Sequence, residues 1–314
     1  MFLKYTHGYF TDYEDVIQAM KLGQHAATFY GIISILLWST MVGLVRSTSE
    51  NFGPIGGAAL IYSIGSLVLV AVMGLPKIHL FPKRYLFWGA FLFVSYEICF
   101  ILALGLANNR QQAIELGMVN YLWPSFTIAL AVLFNRQRFT LLLILGLILA
   151  FAGLLWVISG DQPLSLDAIL SNIQSNPISY GLSFVGAILW AFYSNITKRM
   201  ANGCNGMVLF FIMTSIGLWG LFLLSEPAPF NINLNSMSLL LITAIATGGA
   251  NALWTVAIIK GNVAFLGTLS YFTPVISTAF SSMLLSTALT WGFWQGVVMV
   301  TIGSITCFIA TRRR

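Results

Sequence analysis

The sequence predicts an all-α polytopic membrane protein, built from ten transmembrane helices arranged as two inverted five-helix repeats. Three observations predict it. The 314 residues are 58% hydrophobic and only 8% charged, which leaves too little polar surface for a soluble chain of this length. Ten apolar runs, at 27–45, 56–74, 85–106, 113–134, 141–159, 179–197, 207–224, 238–257, 263–285 and 291–310, each approach the roughly 20 residues that cross about 30 Å of hydrocarbon. The second half also repeats the first. Glu115-Leu-Gly117-Met-Val-Asn120-Tyr121-Leu-Trp123-Pro124-Ser125 recurs as Gly267-Thr-Leu-Ser270-Tyr271-Phe-Thr273-Pro274, with glycine, tyrosine and proline in the same register.

Taken in order, residues 1–26 carry Lys4, Asp12, Glu14, Asp15 and Lys21 without an apolar core, so they read as a cytoplasmic segment rather than a cleavable signal peptide. Thr11 with Glu14 has capping-box spacing, and residues 11–20 read as a short interfacial helix or a tail. The first span ends at Arg46 and aligns with the sixth so that Trp38 falls on Trp190 and Arg46 on Lys198. Because each unit holds five helices, an odd number, the second copy enters from the opposite face and the repeat is inverted. The predicted units are 27–160 and 178–314, joined by an outer linker loop at 161–177. The second span opens at Gly53-Pro54, a helix-start signal. Gly146, Ala150 and Gly153 in span five, with Gly296 and Gly303 in span ten, offer small-residue faces for an internal scaffold or a homodimer.

The net charge of +6 does not point to nucleic acid, because the charges sort by side. Thirteen of the fifteen Lys and Arg lie on the side of the termini, and only Arg46 and Arg110 on the other. The positive-inside rule then makes both termini cytoplasmic. Cys99, Cys204 and Cys307 show no metal or redox spacing, and no HExxH, P-loop, GxGxxG or GxSxG motif is present, so no metal, cofactor or catalytic residue is expected. His7, His25 and His79 all fall outside the spans. A channel is disfavoured by the lack of repeated charge rings or filter carbonyls.

The candidate site lies inside the spans. Pro124 and Pro274 cannot donate a backbone hydrogen bond, so each interrupts its helix and is a candidate hinge, and such a break is tolerated in a bilayer only where it faces protein or a cavity. Paired broken helices in corresponding halves point to a transporter's substrate site. Glu97 sits mid-span, where an acid is costly; it is a partner for a substrate amine, a proton carrier, or a protonated acid bonded between helices. Glu115, near the end of its span and beside Arg110, reads as an exposed interfacial acid. Trp88, Trp156 and Trp291 fit the interfacial belt. The deeper Trp38, Trp123, Trp190 and Trp254, with Tyr96, Tyr121, Tyr193 and Tyr271, are candidates for an aromatic-walled cavity, to which Asn120, Asn195 and Asn251 add amides.

Several stretches also resemble a known family. Leu37-Trp38-Ser39-Thr40-Met41-Val42-Gly43-Leu44, Phe93-Val-Ser-Tyr96-Glu97-Ile-Cys99, Gln112-Ala-Ile-Glu115, the Asn120-Tyr121-Leu-Trp123-Pro124 motif, Tyr271-Phe-Thr273-Pro274-Val275 and Phe293-Trp294-Gln295-Gly296 are similar to the drug/metabolite transporter superfamily with two EamA-type repeats, and within it to the aromatic amino acid exporters of enteric bacteria. The resemblance covers residues 25 to 314. It implies ten helices in the bacterial inner membrane, cytoplasmic termini, and alternating access about a central cavity that exports phenylalanine, tyrosine, tryptophan and some toxic cations. By position it carries the cavity aromatics to Tyr121, Trp123 and Trp190. The competing expectation is a drug or quaternary-cation exporter, using the same rings as a cation–π cage with Glu97 as counter-charge.

Overall fold

The computed structural model describes residues 23–135, 140–160, 165–202, 204–226 and 229–311. The expected N-terminal interfacial helix at 11–20 and the basic residues Arg136, Arg138 and Arg312 to Arg314 lie outside these. Among the described residues the secondary structure is helical throughout, with no strand.

The first span is two helices, α1 (Gln24–Ser39) and α2 (Met41–Phe52), bent by 45° at Thr40. The sequence reading took 27–45 as one straight run. The bend has a local cause: Thr40 donates both its N–H, at 3.0 Å, and its Oγ1, at 2.7 Å, to the carbonyl of Leu37 three residues back, and such hydroxyl back-bonding bends helices. α2 passes into α3 (Pro54–Met73) through Gly53, whose φ of +71° is open only to glycine without strain, with Pro54 as the first residue of the new helix. After a short 3-10 turn at Ile78–Leu80 comes α4 (Lys83–Gly105).

α5 (Arg110–Asn120) starts where the Asn109 side chain accepts from Gln112 N at 2.8 Å. It stops at Tyr121-Leu122, and α6 (Trp123–Asn135) begins with Pro124 as its second residue. α7 (Leu141–Ile158) follows, capped by Thr140. Within the stretch read as a loop, the structure forms α8 (Leu166–Ser175), N-capped by Ser165, with Ile169 buried. The second half runs through α9 (Pro177–Met200), α10 (Met207–Leu224) and α11 (Leu234–Lys260), the last opened by a capping box between Asn233 and Ser236. Then come α12 (Val263–Leu269), a 3-10 turn at Ser270–Phe272, α13 (Thr273–Leu284) with Pro274 in its first turn, and α14 (Trp291–Thr311). Both prolines thus mark breaks in matching elements.

Seven of the described helices are long and apolar enough to cross a membrane, and the bent pair α1–α2 brings the number to eight. Their packing has an exchange pattern. α4 lies against α9, and α1 against α11; α3 lies against α11, and α4 against α10. Renaming each helix as its equivalent in the other half turns the first contact into the second and the third into the fourth. The contacts α3–α10 and α7–α14 map onto themselves.

The α7–α14 contact uses the small residues inside one chain. A Cβ on Gly303 would stand 2.5 Å from Ala150 N and 2.7 Å from Gly146 O, and one on Gly153 would stand 2.7 Å from Val300 N. The two backbones touch, as small residues allow in lipid. Gly303→Val is therefore expected to destabilise the fold by about 1–3 kcal/mol, because backbone cannot move aside as a side chain would. Gly220→Ala, at a position with nothing within 4 Å, should be neutral or slightly stabilising. Thermal unfolding in detergent compares them, and equal loss in both would refute this account of the helix contact.

Candidate functional site

Where the two halves meet, a cavity of about 300 Å³ is lined from α1, α2, α3, α4, α9, α11 and both helix breaks. Its walls are aromatic because α1, α3, α4, α9 and α11 each bring a large ring to it, while α2 adds Met41 and Val45. Trp38 of α1 and Trp254 of α11 lie with ring centroids 5.1 Å apart. Trp190 of α9 lies 4.7 Å from Tyr96 of α4 and 6.0 Å from Trp123 of α6. The α1–α11 and α9–α4 ring pairs join helices that are exchanged between the two halves, and each half supplies one ring to each pair.

Both breaks reach the cavity. Asn120, Tyr121 and Trp123 line it from the first, and Ser270 and Thr273 from the second. Pro124 and Pro274 are buried beside them.

Polar groups are few. Glu97, half-buried on α4, accepts a hydrogen bond at Oε2 from the Tyr62 hydroxyl of α3. It is the one charged side chain among the described residues lining the cavity. Asn251 also lines it and spends its amide on Thr247 O of its own helix at 2.9 Å. Asn120 differs: it is 2% exposed, and its Nδ2 has no acceptor among the described residues. A buried donor left unpaired costs about 1–3 kcal/mol, so Asn120 is not held there by folding stability.

Of the residues expected in the cavity, Trp38, Tyr96, Glu97, Asn120, Tyr121, Trp123, Trp190 and Trp254 line it. Tyr271 is not among the lining residues; its ring packs against Phe308 at 5.2 Å, beside the α7–α14 contact. Tyr193 is buried behind the wall, against Phe93. Asn195 joins helices instead, donating to Thr127 O at 3.0 Å and Ala191 O at 2.9 Å. Glu115 is not an exposed acid. It is 5% exposed and accepts from Tyr180 Oη at 2.6 Å, while Arg110 pairs with Glu50 at 2.8 Å. Sequence reasoning missed Tyr62, although a hydroxyl within an apolar span must find a partner. Among the described residues no three His, Cys, Asp or Glu are grouped to hold a metal ion.

The profile of the EamA-like transporter family matches this chain twice, at residues 25–159 and 177–309. The chain belongs to the EamA-like transporter family. It is therefore a multi-pass membrane transporter of two repeats rather than an enzyme. Among its relatives, the aromatic amino acid exporter YddG of Salmonella typhimurium (strain 14028s / SGSC 2262) is 49% identical over 288 residues, covering 92% of this chain and 98% of the relative. The YddG of Escherichia coli (strain K12) is 50% identical over 287 residues, covering 91% and 98%. A further aromatic amino acid exporter YddG, from Ancylobacter novellus, is 26% identical over 263 residues, covering 82% of this chain and 88% of the relative. A crystal structure at 23% identity superposes with a TM-score of 0.64 over 93% of this chain and 99% of the other, which speaks to the fold alone.

The two asparagines separate site from scaffold. Asn195→Leu, which removes the hydrogen bonds to Thr127 O and Ala191 O and leaves the Thr127 carbonyl without that donor, should destabilise the protein by about 1–3 kcal/mol. Asn120→Leu removes an unpaired donor and should cost nothing or stabilise. Melting temperatures in detergent test this, and equal losses would mean the Asn120 amide is bonded in the folded protein.

Proposed function

We propose that this EamA-family transporter exports aromatic amino acids across the bacterial inner membrane, by alternating access of two inverted five-helix repeats around the central cavity. The observation that carries the reading is the cavity wall: rings from both halves enclose a space into which, among the described residues, one carboxylate is set, a surface suited to a flat apolar side chain bearing an amine. The relatives named aromatic amino acid exporters support it, aligning along almost their whole length.

In this reading α5 with α6, and α12 with α13, each complete a broken span, giving ten. The repeats are 27–160 and 178–314, the linker is 161–177, and residues 1–26 are cytoplasmic, as is the C-terminus. The asymmetric placement of Lys and Arg supports that orientation. Substrate contacts fall to Tyr121, Trp123, Trp190, Tyr96, Glu97, Asn120, Trp38 and Trp254, with Pro124 and Pro274 as hinges. Tyr271 is left out, its ring lying against Phe308. One chain supplies the whole cavity, so the reading requires no homodimer.

Purified protein in proteoliposomes should catalyse counterflow of labelled phenylalanine, tyrosine and tryptophan. Tyr121→Ala and Trp123→Ala should each weaken phenylalanine binding by roughly 1.5–3 kcal/mol while leaving membrane insertion intact, the scale for withdrawing one buried ring. Unchanged affinity in both variants would move the site elsewhere.

Alternating access also requires the outer ends of the repeats to part. There Arg110 binds Glu50 through Nε at 3.0 Å and Nη2 at 2.8 Å and donates from Nη1 to Leu285 O at 3.2 Å, tying the start of α5 to the end of α13. With the native cysteines replaced, a cleavable impermeant dithiol cross-linker should join Arg110→Cys to Ser286→Cys when added to whole cells. It should also stop counterflow until reduced. Failure to react from outside would overturn the orientation, and transport by linked protein would overturn the rocking of the repeats.

A further inference from the structure

The lining of the cavity is unbalanced for a zwitterion. An amino acid brings one ammonium and one carboxylate, yet the lining offers one carboxylate, Glu97, and no Lys, Arg or His among the described residues. The substrate's two ends are therefore read with unequal strength. The ammonium meets a carboxyl group whose ionised form its own positive charge favours, and charge-assisted hydrogen bonds are about twice as strong as neutral ones. The carboxylate meets only neutral donors such as indole N–H groups, the unpaired amide of Asn120 and the hydroxyl of Thr273.

Glu97 is also held in place. Tyr62 is 2% exposed, and its ring leans on Phe211 with centroids 5.0 Å apart, so its hydroxyl is fixed in space. That hydroxyl engages Oε2 of Glu97, while Oε1 has no donor among the described residues. One oxygen is anchored and the other remains for a ligand's N–H.

We propose that the carboxylate of the substrate is dispensable and its ammonium is not, so that this transporter also carries aromatic amines of the arylalkylammonium class, with Glu97 as the ammonium's partner and Tyr62 as the residue that positions it. This rests on the reading that aromatic amino acids bind in the same cavity. Aromatic carboxylates that lack the amine are excluded, because their one charge has the sign of Glu97. The selectivity is electrostatic, and the rings that grip the apolar portion are common to all three ligand classes.

The test compares phenylalanine, phenethylamine and 3-phenylpropanoate, which share a phenyl ring and differ in their charged groups. Counterflow is measured in proteoliposomes with the membrane potential clamped by potassium and valinomycin. Wild-type protein should exchange labelled phenethylamine and let it compete with phenylalanine, whereas 3-phenylpropanoate should compete at least about tenfold more weakly. Glu97→Gln should lose phenethylamine exchange and gain competition by 3-phenylpropanoate, a change of sign that misfolding cannot produce. Tyr62→Phe, which keeps the ring and removes the hydroxyl, should weaken phenethylamine more than 3-phenylpropanoate. The inference is overturned if 3-phenylpropanoate competes as well as phenethylamine in wild-type protein, or if Glu97→Gln leaves phenethylamine exchange intact. It is equally overturned if wild-type protein exchanges phenylalanine but not phenethylamine. Failure to exchange any aromatic amino acid would instead sink the underlying reading of the cavity.

Discussion

The structure depends on one constraint: in hydrocarbon, a backbone N–H or C=O that is not bonded within the protein has no water to turn to. Helices satisfy it along their length, which is why the described secondary structure is helical throughout. The constraint also decides where a helix can be interrupted. Pro124 and Pro274 each remove a donor, and the chain answers with breaks at Tyr121-Leu122 and Ser270–Phe272. Both breaks border the central cavity, where polar backbone can be tolerated. The residues that the breaks present, Asn120, Tyr121, Trp123, Ser270 and Thr273, become lining as a consequence. The cavity is thus where the fold's weakest backbone is gathered.

Duplication explains how that gathering arises. The helix contacts exchange in pairs between the halves, and so do the two ring pairs, Trp38 with Trp254 and Trp190 with Tyr96. A motif used twice converges on the axis relating its copies, and a cavity there draws walls from both. Along α7–α14 glycine backbones touch directly, which fixes the two helices against one another. Around the cavity the contacts are made by rings and a few hydroxyls, which can change partners without exposing backbone.

Glu97 and Glu115 show why the site was only partly legible. Both are acids inside predicted spans, and position along the span was the only guide to their surroundings. For Glu97 mid-span depth was informative, since an acid there must face protein or water. For Glu115 it misled: closeness to the span end suggested exposure, but the Tyr180 hydroxyl arrives from another helix and buries it. Tyr271 failed for a related reason. Its register matches Tyr121, yet the second break is itself a 3-10 turn, Ser270–Phe272, and the ring of Tyr271 within it packs onto Phe308 rather than into the cavity. Tyr62 went unnoticed because its importance lies wholly in its partner on α4.

By itself the sequence determined the quantities that one helix can express alone. Apolar length, the two prolines, the duplicated motif and the small-residue faces of α7 and α14 all belong to single segments, and lipid enforces them without reference to neighbours. The 45° bend at Thr40 and the helix at Leu166–Ser175 sit at the edge of that reach, since their signals are local hydroxyl and capping bonds within an apolar or loop-like stretch. Only the tertiary structure decided which rings face one another, which asparagine is left unpaired and which acid stands in the cavity. Those outcomes depend on how helices far apart in the chain are rotated about their own axes, and that rotation is set by packing between segments, which no single segment encodes.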